Sequence, residues 1–329
     1  MKKSAIALAV AAALAASAAA QAETTFYGRA ALAVTYTDSQ KEGRDVNSPD
    51  DVINFFDDGV WDIRNAGTRW GVRGSEDLGN GLSAIYHIET NLDADSHNGN
   101  GDSQTGRLAW VGLKGGFGAV KIGAQWTPYY NALGATDIFN EANWFDKYQG
   151  PFRQNSALLY ETPGSISAFK GEVMLVMDGG DSGIDPTSLE NPHGKEQGID
   201  IYDIGASGNF GPVYVGAAYR NNEVADSDQW GITGSFDFAG ASIAALYENW
   251  DFGGGDEGDT YYVTGQYTIG NNVLKAGWGS AHPDNGDDVD EWGLGVQHNL
   301  SNRTRVWVEY TDDDVGDESL LSIGLRHDF

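Results

Sequence analysis

The charged residues of this chain fall into two sets with different settings. Arg29, Arg69, Arg73 and Lys121 sit in stretches that alternate apolar and polar residues, each on the polar parity. Asp137, Glu141 and Asp146 sit in a segment, Thr127 to Gln154, that carries Tyr129, Tyr130, Phe139, Trp144, Phe145, Tyr148 and Phe152. Fixed cations facing fixed carboxylates make an electric field; they break no bond. Residues that would break one are poorly spaced. His87 has Glu89 two residues on, but no serine is tied to it as a triad requires. His97, His193 and His282 fall in loop-like sequence and form no metal-ligating set. Asp284 to Asp288 and Asp312 to Glu318 are acidic, yet neither has the twelve-position spacing of a calcium loop, and a solvated acidic surface is the better reading. No catalytic residue, metal or cofactor is expected.

The elements that carry the cations are strands. Phe26, Ala30, Leu32, Val34 and Tyr36 occupy one parity of the first, and Tyr27, Arg29, Ala31, Ala33 and Thr35 the other. A second strand is expected from about Arg64 to Ser75, a tight turn at Glu76 to Gly81, and a third strand with Leu82, Ala84, Tyr86 and Ile88 opposite Ser83, His87 and Glu89. Short turns recur at Gly115 to Gly118, Asn209 to Pro212, Ile269 to Asn272 and Leu300 to Arg303, and long connections lie between them. The chain ends on Leu321, Ile323, Leu325 and Phe329 against Ser322, Gly324, Arg326 and Asp328. A terminus frays unless a sheet holds it. A closed barrel needs its last strand to pair with its first, so that no edge is left open in lipid. Counting between turns gives 16 antiparallel strands of about ten residues, the length of a tilted membrane strand, and that number encloses a water-filled lumen. Aromatics near strand ends, Phe26, Tyr36, Trp126, Tyr219, Trp230 and Phe238, read as interfacial girdles. Arg107 joins the lumen set, because arginine on the lipid face costs about 2–4 kcal/mol near the midplane. The aromatic segment 127–154 is too apolar for a solvated loop, and it is expected to pack inside the lumen.

Composition agrees. Lys2 and Lys3, an apolar run from Ile6 to Ala16 and Ala20-Gln21-Ala22 read as a cleaved secretory signal over residues 1–22, leaving a barrel domain over 23–329. No later run is long enough for a membrane-spanning helix. Cysteine is absent, so hydrogen bonds and packing alone must hold the fold. The formal net charge of -28 becomes -30 once Lys2 and Lys3 are removed, which excludes nucleic acid as a partner. The 45 glycines approach twice the ordinary usage of about 7%, as tightly curved strands require.

Specific residues add a resemblance. Thr68-Arg69-Trp70-Gly71-Val72-Arg73-Gly74-Ser75-Glu76-Asp77-Leu78-Gly79-Asn80-Gly81-Leu82 closely resembles a strand–turn–strand signature of Gram-negative general porins. Arg107 to Leu113, Gly115 to Gly118 with Lys121 to Gly123, Tyr160 to Pro163 and Gly324 to Phe329 are similar to further segments of that family, in family order; Asp178 to Asp290 matches only in pattern. The resemblance implies an outer-membrane homotrimer in lipid and lipopolysaccharide, passing ions and small hydrophilic solutes by passive diffusion. It also implies that the third surface loop, here 127–154, folds inward to narrow the pore. Arg29, Arg69, Arg73, Arg107 and Lys121 then form the constriction wall, and Asp137, Glu141 and Asp146 the loop side. Arg326 reads as structural. The long acidic connections overhang the mouth and tip the expectation to weak cation selectivity, against the pull of the basic wall. An oligosaccharide-specific porin, with loop aromatics stacking on sugars, remains an alternative; an outer-membrane barrel enzyme and a secreted β-sandwich are weaker ones.

Overall fold

The alternation of apolar and polar residues leaves every strand with one face for lipid and one for water, and a sheet that closes on itself satisfies all backbone groups. The computed structural model describes residues 23–38, 59–94, 104–140, 144–164, 168–177, 198–314 and 318–329. The chain runs through β1 (Glu23–Asp38), β2 (Val60–Asn65), β3 (Arg69–Gly79), β4 (Leu82–Leu92), β5 (Gln104–Gly115) and β6 (Gly118–Trp126). A short helix, α1 (Pro128–Leu133), a 3-10 turn (Gly134–Thr136) and β7 (Arg153–Gln154) follow, then β8 (Ala157–Glu161) and β9 (Phe169–Met177). The remainder is a meander: β10 (Ile199–Phe210), β11 (Val213–Asn222), β12 (Ser227–Phe238), β13 (Ala241–Asp251), β14 (Glu257–Ile269), β15 (Asn272–Pro283), β16 (Val289–Asn299), β17 (Thr304–Asp313) and β18 (Glu318–Asp328).

These segments make 16 barrel strands, because β2 with β3, and β7 with β8, are two halves of single strands. The second strand is therefore broken where the sequence suggested continuity. Ala66 to Thr68 leave the ladder, and Thr68 Oγ1 fills the gap, accepting from Ala31 N at 3.0 Å and donating to Ala31 O at 2.9 Å. Closure is made by β1 and β18, antiparallel from Arg29 opposite Asp328 to Asp38 opposite Ser319, and Phe329 N donates to Gly28 O at 3.0 Å. The terminal strand is tied on both edges, by β1 and by β17.

Burial alternates as a membrane barrel requires. Leu32, Val34, Ile232, Ile243, Val263, Val296, Val308 and Ile323 are exposed on the outer face, whereas Asp203, Glu248, Thr260, Glu291 and Glu309 are buried inside. The β3–β4 turn, Asn80-Gly81, takes positive φ at both residues (54° and 75°), the geometry of a two-residue hairpin. Phe26, Tyr219, Trp230 and Phe238 are exposed on the outer face as a girdle needs. Tyr36 is buried against Trp61, ring centres 5.1 Å apart. Trp126 belongs to the interior, stacked on Tyr130 at 5.0 Å, because the chain has already turned inward there.

Candidate functional site: two halves of the inner wall

The segment after β6 starts with a helix cap. Thr127 Oγ1 accepts from Tyr130 N at 3.0 Å, Pro128 occupies the first turn where its missing N–H costs nothing, and Thr127 N donates to Phe152 O at 3.1 Å to close the neck. From this neck the segment packs against β10 to β17. Tyr129, Leu133, Phe139, Trp144, Phe145 and Tyr148 form one buried cluster with Ala218, Leu246 and Tyr262 of the wall. Phe145 and Tyr148 stack at 4.5 Å, and Phe139 and Trp144 lie 4.6 Å apart. The aromatics that marked the segment are thus largely its own core.

Two kinds of wall residue seat it. Glycines provide room: a Cβ on Gly205 would meet the Pro128 carbonyl, on Gly216 the Ala132 carbonyl, on Gly231 the Leu133 side chain and on Gly277 the Trp144 ring. Carboxylates provide acceptors. Asp203 accepts from Tyr129 N at 2.9 Å, and Glu248 from Tyr129 Oη at 2.8 Å and Gln149 N at 3.0 Å. Glu309 accepts from Asn140 N and from Asn140 Nδ2, both at 2.8 Å. Higher on the wall, Lys147 Nζ reaches Asp313 at 2.7 Å, while Lys147 N donates to Tyr262 Oη, whose own proton goes to Glu291. Sequence reasoning missed Asp203, Glu248, Glu291, Glu309 and Asp313. A signal for four of them was present: a carboxylate in mid-strand on the polar parity cannot face lipid. Its partner, more than a hundred residues away in several cases, had no local trace.

The other half of the wall is cationic. Arg305, Arg326, Arg29, Arg69, Arg107 and Arg153 follow one another from β17 round to β7, and neighbours along this arc repel electrostatically. Two carboxylates take five of them. Asp328 lies 3.1 Å from Arg29, 2.9 Å from Arg326 and 3.6 Å from Arg305; Glu89 lies 2.8 Å from Arg107 and 3.3 Å from Arg69. Arg153 lies over the Trp126 ring at 4.8 Å. Tyr27 Oη donates to Glu89 at 2.7 Å and pairs with His87, which fixes the Glu89 carboxylate. Arg107 reaches the inside by a bulge. Glu89 pairs with Leu108 and Thr90 with Gly106, so Arg107 is the extra residue, and simple alternation with Ala109 and Val111 would have pointed it at lipid.

The expected residues are therefore distributed unevenly. Arg29, Arg69 and Arg107 lie in the arc, joined by Arg153, Arg305 and Arg326, none of which was expected there. Arg73 lies over the Tyr27 ring at 5.1 Å, and Lys121 pairs with Glu161 at 3.1 Å, both away from the arc's carboxylates. Asp137 accepts from Tyr130 Oη at 2.8 Å, and burial raises its pKa above the ordinary aspartate value, with that hydrogen bond and the Lys275 charge working against the rise. Asp146 is not beside Asp137. It is exposed and neighbours Lys147, Asp313 and Glu318 at the long-connection end, where partial desolvation and those two carboxylates raise its pKa as well. Glu141 lies outside the described residues, as do His97 and His193. His282 is in β15, not a loop; it contacts Ser280 Oγ at 3.0 Å and Asp288 at 2.8 Å in triad-like order, but Ser280 is fully buried and offers no nucleophile to a substrate.

A family model described as Gram-negative porin matches residues 7–318. An outer membrane porin protein of Bordetella pertussis is 25% identical over 388 residues, covering 100% of both chains. Outer membrane porin protein 32 of Delftia acidovorans is 27% identical over 335 residues, 93% of this chain and 88% of that one. Among solved structures, the anion-selective porin from Comamonas acidovorans superposes with a TM-score of 0.70 at 19% identity, over 94% of this chain and 100% of that chain. Salmonella typhi OmpF gives 0.71 at 15% identity, over 93% of this chain and 97% of that chain. A 16-stranded barrel with an apolar belt outside and a charged wall inside is a channel for passive diffusion across the bacterial outer membrane, and this chain belongs to the Gram-negative porin family.

Proposed function

We propose that segment 127–154 narrows this channel, and that ions and small hydrophilic solutes pass between it and the arginine arc. The observation that supports this is the division of the inner wall. The carboxylates of β10, β13 and β17 that accept the segment's donors are buried, whereas among the described residues the arc shares two carboxylates among five arginines. Water and solute in the gap meet a positive wall. Arg29, Arg69 and Arg107 act there with Arg153, and Asp137 supplies the opposing negative charge beside Tyr130. Asp146 acts at the outer mouth. Arg73 and Lys121 act further toward the short turns.

This arrangement favours a weak anion preference, the reverse of the sign that bulk charge suggests. Surface charge is screened within about 8 Å at physiological salt, so the narrow part outweighs distant acidic loops. The solved relative described as anion-selective supports the same sign. The oligosaccharide-specific reading loses its basis, because the segment's rings are packed into one another. The assembly we propose is a homotrimer of residues 23–329 in outer-membrane lipid and lipopolysaccharide, after loss of residues 1–22. Planar-bilayer conductance of detergent-extracted protein in a KCl gradient tests all of this: openings grouped in threes with a reversal potential on the chloride side are expected. A potential on the potassium side that is insensitive to the arginines would overturn the assignment.

A further inference from the structure

The inner wall has a second concave feature, away from the seated segment. A recess of about 420 Å³ opens near the short-turn ends of β3 to β6, lined by Arg73, Lys114, Lys121, His87 and Trp110, with Glu23 and Glu161 also on its surface. Its cations are partnered differently from those of the arc. Lys121 is 3.1 Å from Glu161 and lies over the Trp110 ring at 5.2 Å, and Glu161 is also shared with Lys170. Arg73 and Lys114 are exposed, and among the described residues neither has a carboxylate within ion-pair reach. Arg73 lies over the Tyr27 ring face at 5.1 Å. Glu23 and Glu161 share the recess without pairing with either group, which leaves Arg73 and Lys114 open to an anion from the solution that fills the channel.

Concavity decides the kind of ion. Cations spread over a convex surface each hold their own chloride. Cations turned toward one recess, on β3, β5 and β6, add their potentials at its centre, and low-dielectric walls focus that field. A monovalent anion there satisfies one cation and leaves the others. An anion with two charges and oxygens on opposite sides reaches two at once, and the planar fork of Arg73 suits a phosphate or carboxylate edge.

We infer that the recess is a binding site for small dianions, inorganic phosphate or a short dicarboxylate, held chiefly by Arg73 and Lys114 with Lys121 as the third cation. The inference rests on the channel reading above and deepens it: anions drawn past the arginine arc are retained briefly before they leave by the short-turn end.

The test is the chloride current of single channels in planar bilayers, with inorganic phosphate or succinate added above their second ionisation, and acetate at matched ionic strength as the comparison. Phosphate or succinate should lower the current along a saturating curve that acetate does not produce. Arg73→Gln and Lys114→Gln should each raise the half-blocking concentration about two- to fivefold, the range for an exposed ion pair. The paired charge-conserving variants Arg73→Lys and Lys114→Arg should keep the saturation. Saturation with only one of the two dianions supports the site and names its ligand. No saturation in the parent protein, or the same half-blocking concentration in the double glutamine variant, overturns it. Absence of any conductance from folded protein would remove the channel reading, and the site with it.

Discussion

The two halves of the inner wall use the same chemistry to opposite ends. From β10 to β17 three buried carboxylates are occupied by donors: Asp203, Glu248 and Glu309 accept from the seated segment, and Arg220 and Lys275 pair with the first and the last. From β17 round to β7 the wall is basic, and its arginines stay in contact with the water path because Glu89 and Asp328 are too few for them. A charge that is buried and paired shapes the molecule; a charge that is shared and wet acts on what passes. Counting acidic and basic residues does not separate these roles. Their surroundings do.

The comparison breaks most completely if the seat is removed. Glu248→Ala leaves the Tyr129 hydroxyl and the Gln149 N–H without their acceptor, at a cost of about 1–3 kcal/mol for each buried group. Gly216→Val acts on the same segment at another point, because its Cβ has no room beside the Ala132 carbonyl, and overpacking of this kind costs about 1–3 kcal/mol. Either variant should raise single-channel conductance and open-state noise, with the largest change expected for the two combined. The barrel itself should survive, since the ladder from β10 to β18 does not involve the segment. A combined variant with unchanged conductance would mean that the segment does not limit the path.

The arginine half is the second test. In water-like surroundings a unit charge about 6 Å from an ion contributes about 0.7 kcal/mol, close to a threefold change in permeability ratio. Arg107→Gln and Arg153→Gln should each move the reversal potential toward potassium by about that factor. Glu89→Gln should move it the other way and by less, because Arg69 and Arg107 lose a shared counter-charge but also their fixed geometry. The same sign for Arg107→Gln and Glu89→Gln would contradict the assignment of this half as the selective one.

These two halves were unequally legible in the sequence. The barrel was written in period-2 alternation and in turns such as Asn80-Gly81, which depend on neighbouring residues. Arg29 and Arg69 followed from the same alternation. Arg107 was reached only through the cost of arginine in lipid, because the bulge that turns it inward inverts the local parity. Arg153 follows a connection without alternation, so parity did not place it. The seat was the least legible part: Tyr129 and Glu248 are 119 residues apart, and the glycines opposite Pro128 and Ala132 look like any others until the segment lies against them. Trp126 misled for the same reason, since its stacking partner comes from a segment whose path no local pattern records.

The finest test of the comparison is pH. Asp137 is the segment carboxylate that accepts from Tyr130, and burial raises its pKa above that of an ordinary aspartate, against the pull of that hydrogen bond and of Lys275. As the pH falls it therefore takes up a proton while exposed carboxylates of the outer connections are still ionised. The narrow part then loses negative charge and the arginine arc loses nothing, so anion preference should grow on mild acidification. Asp146 also has a raised pKa, but it neighbours Asp313 and Glu318 at the mouth, where its loss changes the potential over a wider, better screened space. Asp137→Asn should thus start with the higher anion preference and lose most of the pH response, whereas Asp146→Asn should keep most of it. If the two variants respond alike, the charge that opposes the arginines is spread over the mouth, and the division of labour between the two halves is not confined to the narrow part of the channel.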